Sequence, residues 1–195
     1  MPYSTKNFEH LLGLEGLSNQ LLKNHFALYE GYVKNTNKLL EEKTTLLEAG
    51  QTNTPAFAEL TRRFGWEWNG MRLHELYFGN LKKDGEELPD ISPLRAELEK
   101  NFGDFENWKK DFLALGSMRG IGWVILARDS ETKNLFNIWI NEHDTGHLAG
   151  AVPLLVMDVF EHAFMIDYGL KKIDYLEVFM KNIDWGVVEN RSRGN

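Results

Sequence analysis

Cysteine is absent from this chain of 195 residues. That absence excludes disulfide bonds, thiolate-bound zinc, iron–sulfur clusters and a cysteine nucleophile in one step. If the protein binds a metal, the ligands must be nitrogen and oxygen atoms, which come chiefly from histidine and carboxylate side chains.

Long apolar runs and dense basic runs are also missing. No stretch is apolar over the length of a membrane span, and the opening residues MPYSTKNFEH lack the basic-then-apolar order of a secretory signal. The net charge is −7, from 29 acidic and 22 basic residues. An acidic chain of this kind is a poor match for a phosphate backbone. We therefore expect a soluble, cytoplasmic protein with no nucleic-acid or membrane partner.

Two long segments with helical periodicity occupy the first part of the chain. Ser18 suits a helix N-cap, and Thr54-Pro55 suits the start of a second helix that runs to Leu76 or Tyr77. One face of the first helix carries Leu21, His25, Tyr29, Tyr32, Thr36 and Leu39. The turn-rich residues 50–53 lie between the two segments, which predicts an antiparallel helical hairpin.

A polar stretch, residues 81–92, follows the second helix and lacks apolar periodicity. It predicts a boundary between an N-terminal helical hairpin domain, residues 1–83, and a C-terminal domain, residues 84–195.

The C-terminal part combines helices with strands. Ser92-Pro93 and Asp104 suit the starts of two shorter helices that end near Leu115. Runs rich in β-branched and aromatic residues predict short strands at 122–128, 135–140 and 152–157, and helical candidates follow at 161–166 and 172–182. The predicted fold class is α+β, with the helical hairpin followed by helices around a small antiparallel three-stranded sheet.

Three histidines and one aspartate are candidates for a metal site. Asp158 and His162 are four residues apart beside the apolar runs PLLVM and AFMI, so both are hard to leave in water, although such a pair is more often a surface hydrogen bond. His25 and His74 lie in the long helices, where each alone is typical of a satisfied core histidine. Together the four suit Fe, Mn, Zn or Cu better than Ca or Mg, but they leave the reaction open. His10 and His147 lack this setting and are expected at the surface.

Five segments resemble the iron/manganese superoxide dismutases, in the order of that family and over nearly the whole chain. They are HFALYEGYVKNTN (25–37), HELYFGNL (74–81), GIGWVILARD (120–129), PLLVMDVFEHAFMIDY (153–168) and NIDWGVVENR (182–191). The resemblance implies that one Fe or Mn ion is held by His25, His74, Asp158 and His162. It also implies a ping-pong reaction, in which one superoxide is oxidised to dioxygen and a second is reduced to hydrogen peroxide.

The resemblance also implies roles for residues around the metal. A glutamine usually bonds the metal-bound water from one of two positions, occupied here by Gly70 and His143. A histidine there resembles a subgroup that is often iron-dependent, so iron is favoured and manganese remains an alternative. A solvated loop position for His143 is the other interpretation. Glu161 would bond the metal-ligating histidine of a second copy in a homodimer, or in a homotetramer. An aromatic wall would comprise Trp68, Tyr77, Phe78 and Trp123.

The sequence departs from the family pattern at several positions. Phe160 and Met165 replace an expected tryptophan and an expected tyrosine, and the gateway histidine is missing, with Leu28 or Tyr29 in its region. The interval from His25 to Tyr32 is one residue shorter than usual. Tyr32 is the predicted substrate-gate tyrosine, and Tyr29 is the competing candidate.

Two other functions compete with dismutation. One is an inactive relative with a structural or metal-binding role, which would be expected to lose ligands. The other is a non-haem iron oxygenase, but that chemistry typically uses two histidines and one carboxylate. The third histidine argues against it.

Overall fold

Two long helices form the first part of the chain in the computed structural model, which describes residues 2–194. Helix α1 spans Asn19–Glu48 and helix α2 spans Pro55–Gly79, and the two pack against each other. Both predicted caps are present, because the Ser18 hydroxyl accepts a hydrogen bond from the Leu21 N–H and the Thr54 hydroxyl accepts one from the Phe57 N–H. The predicted helical hairpin is confirmed.

Two shorter helices follow the polar stretch. Helix α3 (Pro93–Phe102) begins after Ser92, and helix α4 (Phe105–Ser117) begins after Asp104. Each cap side chain accepts a hydrogen bond from a backbone N–H in the first turn, as the sequence predicts.

A three-stranded antiparallel sheet lies at the centre of the C-terminal part. Its strands are β1 (Gly122–Asp129), β2 (Leu135–Asn141) and β3 (Ala151–Asp158), in the order β2-β1-β3. The register sets Trp123 opposite Asp158 across the β1/β3 pair. The predicted strands and the α+β fold class are confirmed. Strand β3 is an edge strand, and its last residue, Asp158, is a candidate ligand.

The chain after the sheet is helical but more broken than expected. A single 3-10 turn, Glu161–Ala163, and a short helix α5 (Met165–Tyr168) replace the helix expected over 161–166. Helix α6 (Lys172–Lys181) was predicted, whereas helix α7 (Trp185–Arg193) was not.

One continuous cluster of buried apolar side chains links the helical hairpin, the sheet and the C-terminal helices. It includes large aromatic residues that are almost completely buried, among them Tyr77, Phe78, Trp108, Trp123 and Phe179. Three of the four candidate metal residues, His25, His74 and Asp158, are buried within this shared core.

Replacing each of two glycines by alanine should change the stability of the protein in opposite directions. A Cβ on Gly85 would overlap the Lys181 carbonyl oxygen and lie 3.0 Å from the Asn182 Cα, so Gly85→Ala should lower the free energy of unfolding by about 1–3 kcal/mol. Gly65 lies within α2 with open space around it, so Gly65→Ala should raise that free energy by about 0.5–1 kcal/mol. Urea unfolding of the metal-free proteins measures both changes. Equal stability of the two variants would contradict the close packing at Gly85.

Candidate metal centre

Four side chains from separate parts of the chain converge at one point. Helix α1 supplies His25, α2 supplies His74, the end of β3 supplies Asp158, and the turn after it supplies His162. One potential ligand atom from each residue lies within 4.8 Å of every other. The structure therefore brings together all four residues that the sequence proposes as metal ligands.

The imidazoles are arranged around one carboxylate oxygen. Asp158 Oδ2 lies 3.1 Å from His25 Nε2, 3.2 Å from His162 Nε2 and 3.7 Å from His74 Nε2. The other oxygen, Oδ1, accepts a hydrogen bond from the Phe160 N–H at 2.8 Å. His25, His74 and Asp158 are buried, whereas His162 is partly exposed.

One buried nitrogen atom of the cluster, His74 Nε2, indicates that the cluster suits a cation. The Nδ1 of His74 must donate to the Gly70 carbonyl, 2.6 Å away, so in the neutral ring the Nε2 carries a lone pair. That Nε2 is buried and has no hydrogen-bond partner in the part of the chain the structure describes. A histidine that binds a metal through one nitrogen usually donates its other N–H in this way. The donor set therefore fits a cation such as Fe or Mn.

The charges of the cluster suit a cation as well. Burial lowers the pKa of His25 and His74, so both rings are neutral at pH 7, which is the form that binds metal. Burial alone would raise the pKa of Asp158, but His162 and His25 outweigh it and hold that pKa well below its usual range. The site thus contains one ionised carboxylate.

His143 lies in the interior beside this cluster. Its side chain is completely buried, so it is not a solvated loop residue. The Trp123 Nε1–H donates to His143 Nδ1 at 3.0 Å, which in a neutral ring leaves the proton on Nε2. Burial lowers the His143 pKa to about 4, so the ring is neutral at pH 7. The Nε2–H therefore donates to the Tyr32 hydroxyl oxygen at 2.7 Å, and the Tyr32 O–H remains free to donate.

The Tyr32 ring fills the space that a side chain at position 70 would need. A Cβ on Gly70 would lie 2.5 Å from the Tyr32 ring, which stacks on His74 with ring centroids 5.2 Å apart. A larger residue at position 70 would displace the tyrosine. A glutamine at position 70 would meet the same ring, and in this chain the polar group beside Tyr32 is His143.

Tyr29 faces a different environment from Tyr32. Its hydroxyl donates to Glu75 Oε1 at 3.1 Å and accepts from the Lys6 backbone N–H at 3.0 Å. The Tyr29 hydroxyl is therefore already satisfied, whereas the Tyr32 hydroxyl keeps a free hydrogen.

The aromatic surroundings agree with the prediction except at one residue. The rings of Trp123, Tyr77 and Phe78 pack against His25 or His74 with centroids 4.8 to 5.3 Å apart. Phe160, in place of the expected tryptophan, stacks between His143 and His162.

The prediction for Trp68 is wrong. Its indole lies beside Tyr3 and under the Arg72 guanidinium, whereas Trp66 packs edge-on against His143 at 4.8 Å. On a helix, positions 66, 70 and 74 share one face, and Trp68 is rotated from it by about 200°. Counting back from His74 in steps of four would have identified Trp66.

The remaining predicted residues lie at the surface. Glu161 is exposed on the turn that carries His162. His10 and His147 are exposed, as expected, although His147 Nε2 also donates to the His143 carbonyl at 2.9 Å. Among residues 2–194, no helix is both long and apolar enough to cross a membrane.

The α+β fold and the cluster of three histidines and one aspartate place the chain among proteins with a nitrogen-rich metal site. Residues 90–191 match the family model described as iron/manganese superoxide dismutases, C-terminal domain. The chain belongs to the iron/manganese superoxide dismutase family.

Named relatives cover most of the chain. It is 37% identical to the superoxide dismutase [Fe] of Cupriavidus metallidurans, over 88% of this chain and 86% of the relative. It is 34% identical to the superoxide dismutase [Fe] of Aquifex pyrophilus, over 91% and 85%. It is 33% identical to the superoxide dismutase [Mn] 2 of Haloferax volcanii, over 87% and 83%.

Metal-free protein should lose stability as the pH falls below about 6.5, the ordinary pKa of histidine. Burial lowers the folded-state pKa of His25, His74 and His143, so in this range the unfolded chain binds more protons than the folded chain. Each histidine therefore adds up to about 1.4 kcal/mol per pH unit to the slope. Asp158 contributes no slope here, because both its folded and unfolded pKa values lie below this range.

Urea unfolding between about pH 7.5 and about pH 5.5 measures this slope. His143→Gln should reduce it, because this variant lacks one of the three buried imidazoles. A stability that is constant over this range would contradict the neutral state of the buried rings.

Proposed function

We propose that this protein is a superoxide dismutase, an oxidoreductase that converts superoxide to dioxygen and hydrogen peroxide. The observation that carries the proposal is the convergence of three imidazole nitrogens on one buried carboxylate oxygen, in a chain of this family. An inactive relative would be expected to lose part of the ligand set, whereas this chain keeps all four residues.

His25, His74, His162 and Asp158 would hold one Fe or Mn ion. When bound, the ion supplies the one-electron redox change that couples oxidation of one superoxide to reduction of the next. The Asp158 carboxylate favours the higher positive charge of the site, because a buried anion stabilises a nearby cation strongly. The three imidazoles, neutral when bound, complete the site without adding charge.

Tyr32 would gate the substrate and deliver a proton. His143 donates to its hydroxyl oxygen, so the phenolic hydrogen is free to point towards the site. Burial raises the pKa of Tyr32 to about 12, which keeps this proton on the phenol at neutral pH. The peroxide product needs protons together with the second electron, and a positioned phenol can supply a hydrogen bond or a proton there. Trp123, Tyr77 and Phe78 exclude bulk water from the other sides.

We favour iron as the metal, with manganese as the alternative. The support is His143, which stands where many family members have glutamine and which resembles an often iron-dependent subgroup. The named relatives include both [Fe] and [Mn] enzymes, so metal analysis of the purified protein decides between the two.

We also propose a homodimer, with a homotetramer as the alternative. Glu161 is exposed beside His162, the one partly exposed ligand candidate, and the next exposed apolar residues are Met165 and Ile166, at 43% and 52%. Exposed apolar residues on the segment that follows Glu161 support an interface between two copies. In it, Glu161 would accept a hydrogen bond from the metal-binding histidine of the other copy. A cytoplasmic location and the division at residues 83 and 84 remain part of the proposal.

Removing a ligand should remove both metal and activity. We expect purified protein to hold about one Fe or Mn per chain, and His74→Ala or Asp158→Ala to lose most of both, because each deletes one donor of the buried set. Elemental analysis and a superoxide-consumption assay measure these quantities. His10→Ala, an exposed histidine outside the cluster, is the matched control. Full metal content in both ligand variants would refute the assigned site.

Tyr32 and His143 should act as a unit. Tyr32→Phe and His143→Ala should each keep metal but lower turnover by about 10–100-fold, and the double variant should be little worse than either, because the hydrogen bond at 2.7 Å joins them. Stopped-flow superoxide decay measures the rates.

Two further variants test this assignment. His143→Gln should restore part of the rate, since glutamine can also donate to the phenol. Tyr29→Phe should keep turnover and lose about 1 kcal/mol of stability, because its hydroxyl bonds the buried Glu75. A larger loss of rate in Tyr29→Phe than in Tyr32→Phe would assign the gate to Tyr29.

A further inference from the structure

Side chains, rather than another strand, cover the free edge of β3. Asn80, at the end of α2, accepts from the Val156 N–H at 3.0 Å and donates to the Val156 carbonyl at 3.3 Å. The Tyr175 hydroxyl donates to the Asp158 carbonyl at 2.6 Å. An uncovered edge would leave these buried backbone groups unpaired. The strand that ends at the candidate ligand Asp158 is therefore held from its outer side by α2 and α6.

Arg191, on α7, hydrogen-bonds both β3 and α2. Its guanidinium donates to the Leu154 carbonyl on β3 at 2.8 Å and to the Leu76 carbonyl on α2 at 3.0 Å. It also donates to Asn80 Oδ1 at 3.2 Å. Leu76 is two residues after His74, and Leu154 is four residues before Asp158. One side chain thus ties together the two elements that carry these ligands.

The acceptors of Arg191 are all neutral. Among the described residues it forms no salt bridge, and burial lowers its pKa to about 10, so it is still a cation at pH 7. A planar guanidinium can serve several carbonyls at once, which a lysine ammonium cannot do with the same fixed geometry. The carbonyl of Leu76 belongs to the last turn of α2, where a cation is favoured by the helix dipole.

We propose that Arg191 is a positioning residue for the metal site, which sets the spacing between His74 and Asp158 by joining the end of α2 to the edge of β3. This inference rests on the proposed function, because it requires that the two residues bind one ion. Three geometric facts carry it: the guanidinium hydrogen-bonds backbone of both elements, it forms no salt bridge within residues 2–194, and none of its hydrogen bonds goes to a candidate ligand side chain.

The test compares two variants on the same helix. Arg191→Met keeps the length of the side chain and removes its donors, whereas Val188→Ala removes buried apolar volume from α7 without touching a hydrogen bond to α2 or β3. Full-length proteins are stripped of metal and titrated with Mn²⁺ against a competing chelator. Urea unfolding of the same metal-free samples gives their stability, and the visible spectrum of the oxidised manganese form reports the ligand geometry.

Arg191→Met should bind Mn²⁺ about 10-fold more weakly and shift the spectrum, as expected when support around a ligand is lost. Val188→Ala should lose stability and keep both the affinity and the spectrum. Arg191→Lys, which preserves the charge and is more certain to fold, should fall between Arg191→Met and the unchanged protein.

Two results would overturn the positioning role while leaving the proposed function intact. One is an unchanged Mn²⁺ affinity and spectrum in Arg191→Lys and Arg191→Met. The other is an equal change in Val188→Ala at matched loss of stability, which would reduce Arg191 to a general stabilising residue. A failure of the unchanged protein to bind Mn²⁺ or Fe²⁺ would instead overturn the proposed metal site itself.

Discussion

The buried charge of Asp158 is the constraint on which the rest of the structure depends. An ionised carboxylate with no solvent exposure is strongly unfavourable unless other groups replace its water. Here a backbone N–H satisfies one oxygen, and three imidazoles surround the other. Because two of those imidazoles come from α1 and α2, the helical hairpin has to dock against the end of β3. A cation at this point would satisfy the carboxylate and the unpaired His74 Nε2 together.

A chain of hydrogen bonds and packed aromatic rings surrounds the Asp158 carboxylate. The Trp123 N–H on β1 donates to His143 Nδ1, which leaves the His143 proton on Nε2. That Nε2–H donates to the Tyr32 oxygen on α1, so the Tyr32 hydroxyl hydrogen remains free to donate. The missing side chain of Gly70 makes room for that phenol. Aromatic rings close the remaining sides, which keeps the local dielectric low and strengthens every interaction inside. A change of side-chain volume at any of these positions would therefore alter the surroundings of the Asp158 carboxylate.

Much of this arrangement could be predicted from the sequence, because it follows local rules. Ser18, Thr54, Ser92 and Asp104 are N-caps with recognisable neighbours, and the strands have the expected β-branched runs. The four ligand candidates were found from their apolar settings and from family resemblance. Helix α7 was missed because its segment is mostly polar with few periodic apolar positions. The roles of Asn80 and Arg191 depend on backbone carbonyls distant in sequence, and no local pattern reports such contacts.

The order of the residues along the chain has a consequence for how the protein is made. His25 and His74 lie in adjacent helices, whereas Asp158 is 133 residues beyond His25 and Arg191 comes later still. During synthesis the helical hairpin emerges before Asp158 and His162, so at that stage it carries two of the imidazoles without the Asp158 carboxylate. Contacts at such sequence separation form late, because the intervening chain must first be ordered. The four candidate ligands are therefore brought together only after the chain beyond β3 has been made and has docked on the hairpin, so a metal held by all four would be acquired after that step.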